Sequence, residues 1–206
     1  MNNGFAIVLS GPSGTGKSTL VQMVRQDFPQ LLFSISCTTR QPRPMEKDGV
    51  DYHFLSQELF HRGIERGDFL EYANVHGNFY GTPKAPMLRA LEEDKIMLLD
   101  IDVQGARQVR QALSPEFLRD HVEFVFLAPP SLETLEQRLR KRGTESPESL
   151  QRRLTNAKKE MEAWKEYQYL VVNDDLNDAA KRLKAILLAA TCRVQRTTWP
   201  QEPKKA

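Results

Sequence analysis

Residues Gly11-Pro12-Ser13-Gly14-Thr15-Gly16-Lys17-Ser18-Thr19 match G-x-x-x-x-G-K-S in full. They follow the apolar run 5–9 and precede a helical stripe at Leu20, Val24 and Phe28. Nothing else in the chain restricts its fold as much, because this loop works only between a strand and a helix. Its glycines let the backbone turn amide N–H groups inward around phosphate oxygens, and the helix adds the positive end of its dipole. Lys17 is then expected to reach the β- and γ-phosphates of a bound nucleotide, and Ser18 to ligate Mg²⁺. A glycine turn beside a surface lysine is the bland alternative, and it accounts for neither the strand nor the helix.

Four further apolar runs, 32–36, 96–101, 122–127 and 169–172, read with 5–9 as buried strands of a parallel sheet. Helical patterns lie between them. Leu176, Ala180, Leu183 and Leu187 form one stripe. Leu150, Leu154, Ala157, Met161 and Trp164 form another, with Ser146 and Pro147 suited to the N-cap and first helical position. The expected class is therefore α/β, a parallel sheet of the P-loop NTPase type flanked by helices. Residues 37–83, interrupted by Pro42, Pro44, Gly49, Gly63, Gly67, Gly77 and Gly81, read as an inserted subdomain. Residues 129–159, Arg-rich after Pro129-Pro130, read as a helical lid. That leaves 1–36, 84–128 and 160–190 for the core. The tail 191–206 carries Pro200, Pro203, Lys204 and Lys205 without periodicity, and from Arg193 onward it is expected to fray.

A formal charge of +2 argues against a nucleic-acid partner, which calls for a domain-wide basic balance or stripe. No apolar run approaches the ~20 residues of a bilayer span, and Met1-Asn2-Asn3-Gly4 lacks the basic and apolar regions of a leader. A cytoplasmic protein with no membrane partner is expected. Cys37 and Cys192 belong to no metal-binding array and read as reduced thiols. His53, His61, His76 and His121 lack metal-ligand spacing, so no zinc site is expected.

Asp100 directly follows the apolar residues 96–99 and suits the metal shell of a nucleotide site. Asp102, two residues on, shares its face if the strand continues; the competing reading is a strand-end carboxylate that caps the next helix. In the lid, Arg138 and Arg142 stand at i and i+4, and Arg153 follows; arginines on a mobile element neutralise charge during phosphoryl transfer, and spacing alone does not decide between that role and a solvated face for these three. Arg140 and Arg152 read as a solvated face. In the insert, Arg40 and Arg43 flank Pro42, with Tyr52 soon after, a combination that suits an oxyanion clamp or, without the loop, a basic surface turn. Glu71 among Phe69, Leu70, Tyr72 and Ala73 is a strand-edge acid or a specificity acceptor. From residues alone the reading is a P-loop phosphotransferase or hydrolase.

From about residue 5 to 188 the chain resembles the guanylate kinase family. The resemblance rests on 11–19, Ser34-Ile35-Ser36-Cys37-Thr38-Thr39-Arg40-Gln41-Pro42-Arg43, Gly49-Val50-Asp51-Tyr52, Gly77-Asn78-Phe79-Tyr80-Gly81-Thr82, Asp100-Ile101-Asp102-Val103-Gln104-Gly105, Arg142-Gly143-Thr144-Glu145 and Val172-Asn173-Asp174-Asp175. It implies transfer of the ATP γ-phosphoryl group to GMP, and to dGMP, with Mg²⁺, in purine nucleotide metabolism and GMP recycling. It implies that 37–83 binds GMP, with Arg40, Arg43, Tyr52 and Tyr80 on the phosphate and Ser36, Glu71 and Thr82 on the base. Asp100 is then expected near both metal and GMP, Lys17, Arg138, Arg142 and Arg153 around the transferring group, and Asn173 beside the adenine. Thr82 stands where the family commonly has serine, keeping the hydroxyl, and Cys37 replaces a small polar residue. The alternative of another class is a catalytically silent guanylate-kinase-like interaction module; Lys17, Ser18, Asp100 and the lid arginines argue against it.

Overall fold

Strand β1 (Phe5–Ser10) is buried along its whole length, which explains why it reads as an unbroken apolar run. Phe5, Ile7 and Leu9 enter the core on one face of the sheet, and Ala6 and Val8 enter the core on the other, as the two-residue period of a strand requires. The computed structural model describes residues 4–28, 30–141 and 147–197. Around β1 the strands β2 (Leu31–Phe33), β7 (Ile96–Asp100), β8 (Val122–Ala128) and β9 (Tyr169–Val172) form a five-stranded sheet in the order β2-β7-β1-β8-β9. Every pairing in it is parallel, with β1 between β7 and β8.

Helices α1 (Lys17–Asp27) and α8 (Leu176–Thr191) cover one face through Leu20, Val24, Leu183 and Leu187. Helices α3 (Lys84–Glu92), α4 (Val103–Ala112) and α5 (Pro115–His121) cover the other through side chains such as Met87 and Val109. Each fully buried aliphatic side chain contributes ~1.5–3 kcal/mol, so these stripes hold the helices in place. The α/β class, a parallel sheet flanked by helices, is the one the sequence predicts.

Within 37–83 lies a second sheet of β3 (Cys37–Thr38), β4 (His53–Phe54), β5 (Phe69–Val75) and β6 (Asn78–Pro83), ordered β4-β3-β6-β5. Helix α2 (Gln57–Arg66) packs on it through Phe60, whose ring stacks on Phe69 at 4.4 Å. Strand β5 lies against α4, which ties the two sheets together. Helices α6 (Leu132–Lys141) and α7 (Pro147–Glu162) pair through Leu135, Leu139, Leu150 and Ala157.

Several expectations fail locally. The second run forms a strand only over 31–33; residues 34–36 leave the sheet toward β3. Strand β7 ends at Asp100, so Asp102 does not share its face: it is the N-cap of α4 and accepts the Gly105 N–H at 2.7 Å. Trp164 is exposed, because α7 gives way to a 3₁₀ turn, Ala163–Glu166, that rotates it off the stripe. The segment after Arg193 is anchored, at least to Thr197: a 3₁₀ turn, Val194–Arg196, places Arg196 fully inside the protein. There Arg196 meets the equally buried Glu123 of β8 at 2.8 Å, and Arg193 meets the same oxygen at 3.0 Å. The expected N-cap Ser146 and the tail beyond 197 lie outside the described residues. Cys37 and Cys192 are free thiols, and burial pushes Cys37 up to about 11.

Candidate active site

The loop between β1 and α1 leaves the sheet at the carboxyl ends of β1 and β7, where open α/β sheets present their ligand crevice. Gly11 has φ 152°, and a Cβ there would lie 2.1 Å from the Leu127 carbonyl oxygen. Gly16 is the N-cap of α1 at φ 91° and brings no side chain to the helix end. The first amides of α1 therefore have no capping side chain and point at whatever sits in the loop. Behind the loop, Thr15 donates its hydroxyl to the Pro12 carbonyl at 2.9 Å, and buried Asn173 donates its amide to the Thr15 carbonyl at 2.6 Å. Residues 11–19, with Asp100, Ile101, Asp102 and Glu160, line a cavity of about 380 Å³.

Lys17 curls back so that Nζ donates to the Gly11 carbonyl at 2.5 Å and stands 3.9 Å from Asp100 Oδ1. Burial pushes the Asp100 carboxyl above its ordinary value, and the Lys17 charge opposes that. Ser18 and Thr19 are exposed at the start of α1. One hydroxyl and one carboxylate beside a phosphate cradle fit Mg²⁺, which binds through few protein ligands and completes its shell with phosphate oxygens and water. Among the described residues no group of three or more His, Cys, Asp or Glu side chains stands ready to hold a metal by itself.

The turn from β7 into α4 serves two sides. On one, Asp100 and Asp102 line the loop cavity. On the other, Gly105 abuts Glu71 so closely that a Cβ there would lie 3.1 Å from Glu71 Oε2. Glu71 and Thr82 oppose each other across the β5/β6 pair, and buried Thr82 donates its hydroxyl to Glu71 Oε1 at 2.5 Å. Burial raises the Glu71 pKa, the Thr82 hydrogen bond lowers it, and the Asp102 charge raises it further.

Further along the second sheet, Arg40 donates Nε to the Tyr80 hydroxyl at 3.3 Å and lies 5.5 Å from the centroid of the Tyr52 ring. The Tyr52 and Tyr80 rings meet edge to face at 6.0 Å, and burial raises the Tyr52 pKa. Arg43 is exposed at the turn that follows. Ser36 is half-buried on the segment entering β3.

On the helical pair, Leu135 and Leu139 pack α6 against Gly14 of the loop. Arg138 donates to the carbonyls of Asn173 at 2.9 Å and Asp174 at 3.4 Å. Arg153 of α7 donates to Ser13 Oγ at 3.3 Å. Arg142 lies outside the described residues. Arg140 pairs with Glu136 at i and i+4 in solvent, the solvated face expected of it.

Two acids escape a reading of the sequence. Glu46 forks the Arg40 guanidinium, and nothing in the turn sets it apart from Asp48 or Asp51. Glu160 lines the loop cavity, and burial raises its pKa while the Lys17 charge opposes. It stands seven residues after Arg153, two helical turns on the same face, and that spacing is a signal the sequence does carry.

The guanylate kinase family profile matches residues 4–190. Guanylate kinase of Clostridium perfringens (strain 13 / Type A) is 49% identical over 195 residues, covering 95% of this chain and 88% of that one. Guanylate kinase of Carboxydothermus hydrogenoformans is 44% identical over 199 residues, covering 97% and 95%. The crystal structure of guanylate kinase from Anaplasma phagocytophilum superposes with a TM-score of 0.70 at 34% identity, covering 95% of this chain and 90% of that one. Phosphate loop, second sheet and helical pair thus occur in one chain whose similarity to these proteins runs nearly end to end, and the chain belongs to the guanylate kinase family of enzymes.

Proposed function

We propose that this enzyme transfers the γ-phosphoryl group of ATP to GMP, and to dGMP, giving ADP and GDP or dGDP. The observation that carries the reading is the shared turn, in which Asp100 borders the phosphate loop while Gly105 backs the Glu71–Thr82 pair. A carboxylate with one oxygen held by Thr82 suits guanine, which presents two adjacent N–H donors; adenine presents an acceptor there and leaves the buried acid unmet. Ser36 stands at the entry to the same sheet and adds a hydroxyl for the base. Arg40, Arg43, Tyr52 and Tyr80 hold the phosphate of GMP.

Residues 11–19 cradle the ATP phosphates, with the Thr15 carbonyl fixed by Asn173, which we also assign to the adenine side. Lys17 exchanges its contact with Gly11 for the β- and γ-phosphates. Arg138, Arg142 and Arg153 spread charge over the equatorial oxygens of the transferring group, a contribution that reaches ~10³-fold or more in related chemistry. Ser18 and Asp100 would hold Mg²⁺, which would neutralise phosphate charge when bound. An oxygen of the GMP phosphate bonds to the γ-phosphorus as the bond to ADP breaks. No general base is needed, since a monoester with a second pKa near ~6 is already largely dianionic at neutral pH. Positioning and charge neutralisation suffice, and closure of the α6–α7 pair over the loop limits loss of the phosphoryl group to water.

In the cell the reading makes the protein a cytoplasmic enzyme of purine nucleotide metabolism that recycles GMP. Among the described residues no helix is long and apolar enough to cross a membrane. The test is ADP formation from MgATP with GMP, dGMP, AMP, CMP, UMP or no acceptor. Turnover confined to GMP and dGMP is expected; turnover independent of acceptor would overturn the proposal.

A further inference from the structure

Glu46 bonds to both arginines assigned to the acceptor's phosphate. Its carboxylate accepts Arg40 NH1 on Oε2 at 2.9 Å and Arg40 NH2 on Oε1 at 3.0 Å, a two-pronged fork across the end of the guanidinium. Oε2 also accepts the Arg43 backbone N–H at 2.9 Å, and the Glu46 N–H returns to the Arg43 carbonyl at 3.0 Å. Side-chain exposures of 18% and 16% separate this pair from the solvated bridges elsewhere on the surface. The fork raises the Arg40 pKa and, with the Arg43 N–H, holds Glu46 below the usual carboxylate range.

A guanidinium carries five N–H donors. In Arg40, NH1 gives one to Glu46 and one to the Gln41 carbonyl at 2.7 Å, NH2 gives one to Glu46, and Nε gives its own to the Tyr80 hydroxyl. Among the described residues one NH2 donor is left, on the edge it shares with Nε. Having accepted from Nε, the Tyr80 hydroxyl keeps its proton to donate. Glu46 takes the end of the guanidinium, and the donors that remain, one NH2 hydrogen and the Tyr80 hydroxyl, lie together on the side edge.

Two roles fit a carboxylate at this place, a rival that the incoming phosphate must displace or a fixture that stays. Displacement would strand the Arg43 backbone N–H, while the remaining NH2 donor and the Tyr80 hydroxyl already offer a phosphate two donors. We propose that Glu46 is a positioning residue for GMP: it fixes Arg40 end-on, so that the side edge and the Tyr80 hydroxyl meet the phosphate, and it sets the Arg43 turn beside them. The inference rests on the phosphate role proposed above for Arg40.

Calorimetric binding of GMP and of guanosine to the wild type, Glu46→Gln, Glu46→Ala and Arg40→Ala tests it, alongside steady-state kinetics. Glu46→Gln is expected to weaken GMP tenfold or more while guanosine changes less than twofold, with KM for ATP unaltered and kcat largely kept at saturating GMP. Equal loss of GMP and guanosine would mean that Glu46 only supports the fold. Unchanged GMP binding in both Glu46 variants, with loss in Arg40→Ala, would overturn the positioning role alone; tighter GMP binding would make Glu46 the rival. If Arg40→Ala also leaves GMP affinity untouched, the clamp itself is misplaced and Glu46 falls with it.

Discussion

On the proposed reading Lys17 and Glu71 have opposite tasks, one to meet phosphate and one to read a base, and each can be tested alone. Lys17 contacts the Gly11 carbonyl and Asp100, which the proposed reading has a nucleotide replace. Lys17→Ala is expected to lower kcat by ~10²–10³-fold, the range for removing a fixed donor from a developing anion, with little change in melting temperature. For Glu71 burial raises the pKa above the ordinary 4.5. Guanosine needs the carboxylate, so its affinity should fall as pH drops through that raised value, and the fall should vanish in Glu71→Gln; guanosine is the right probe because it has no phosphate to titrate. Stability carries the reverse sign. Between 4.5 and the raised value the folded state binds more protons than the unfolded, so the contribution of Glu71 declines as pH rises through that window. Glu71→Gln should therefore unfold at higher temperature than the wild type above the window and at a similar temperature below it, as thermal melts at several pH values can check.

At the scale of elements the loop 11–19 and the β7–α4 turn do most to define the site, and they differ in how legible they are. The loop announces itself because its geometry depends on residue types that few other structures need: at Gly11 any side chain meets a backbone carbonyl 2.1 Å away. Gly11→Ala should accordingly abolish nucleotide binding or lower the melting temperature by several degrees, as a thermal melt with and without MgATP would register. The turn is harder to read. Asp100 and Asp102 look alike in sequence, and only the end of strand pairing at Asp100 makes the second a helix cap. On α7, Arg153 and Glu160 share a face at a spacing of seven, but helix periodicity says only that they point the same way. That they point at the phosphate loop is decided by the packing of α7 on α6 and of α6 on Gly14.

Across the whole molecule the C-terminal segment closes the core on the side of β8 away from the loop. Arg196 donates Nε to the Asp120 carbonyl at 2.6 Å and NH1 to the Ala190 carbonyl at 3.2 Å, and its guanidinium lies 4.6 Å from the centroid of the Phe5 ring. Burial lowers the Arg196 pKa, with Glu123 opposing. Neither Glu123 oxygen makes an aligned hydrogen bond among the described residues, so the acid depends on the charges of Arg193 and Arg196. Arg196→Ala should cost ~3–5 kcal/mol by leaving that carboxylate buried and unpaired, as chemical denaturation can measure, and Arg196→Ala with Glu123→Leu should recover much of the loss.

Much of this protein is determined by its sequence alone: the α/β class, the parallel sheet, and the glycine-rich loop between its first strand and first helix. These are written in local patterns, in runs that alternate between strand and helix and in a loop whose glycines have no substitute. Only the tertiary structure decides that Glu46 closes one end of Arg40, that Glu160 shares the cavity of Lys17, and that Arg196, in a segment without periodicity, is buried against Glu123. Such pairings join residues whose separation along the chain carries no signal, because what selects each partner is the cost of leaving a charge buried without one.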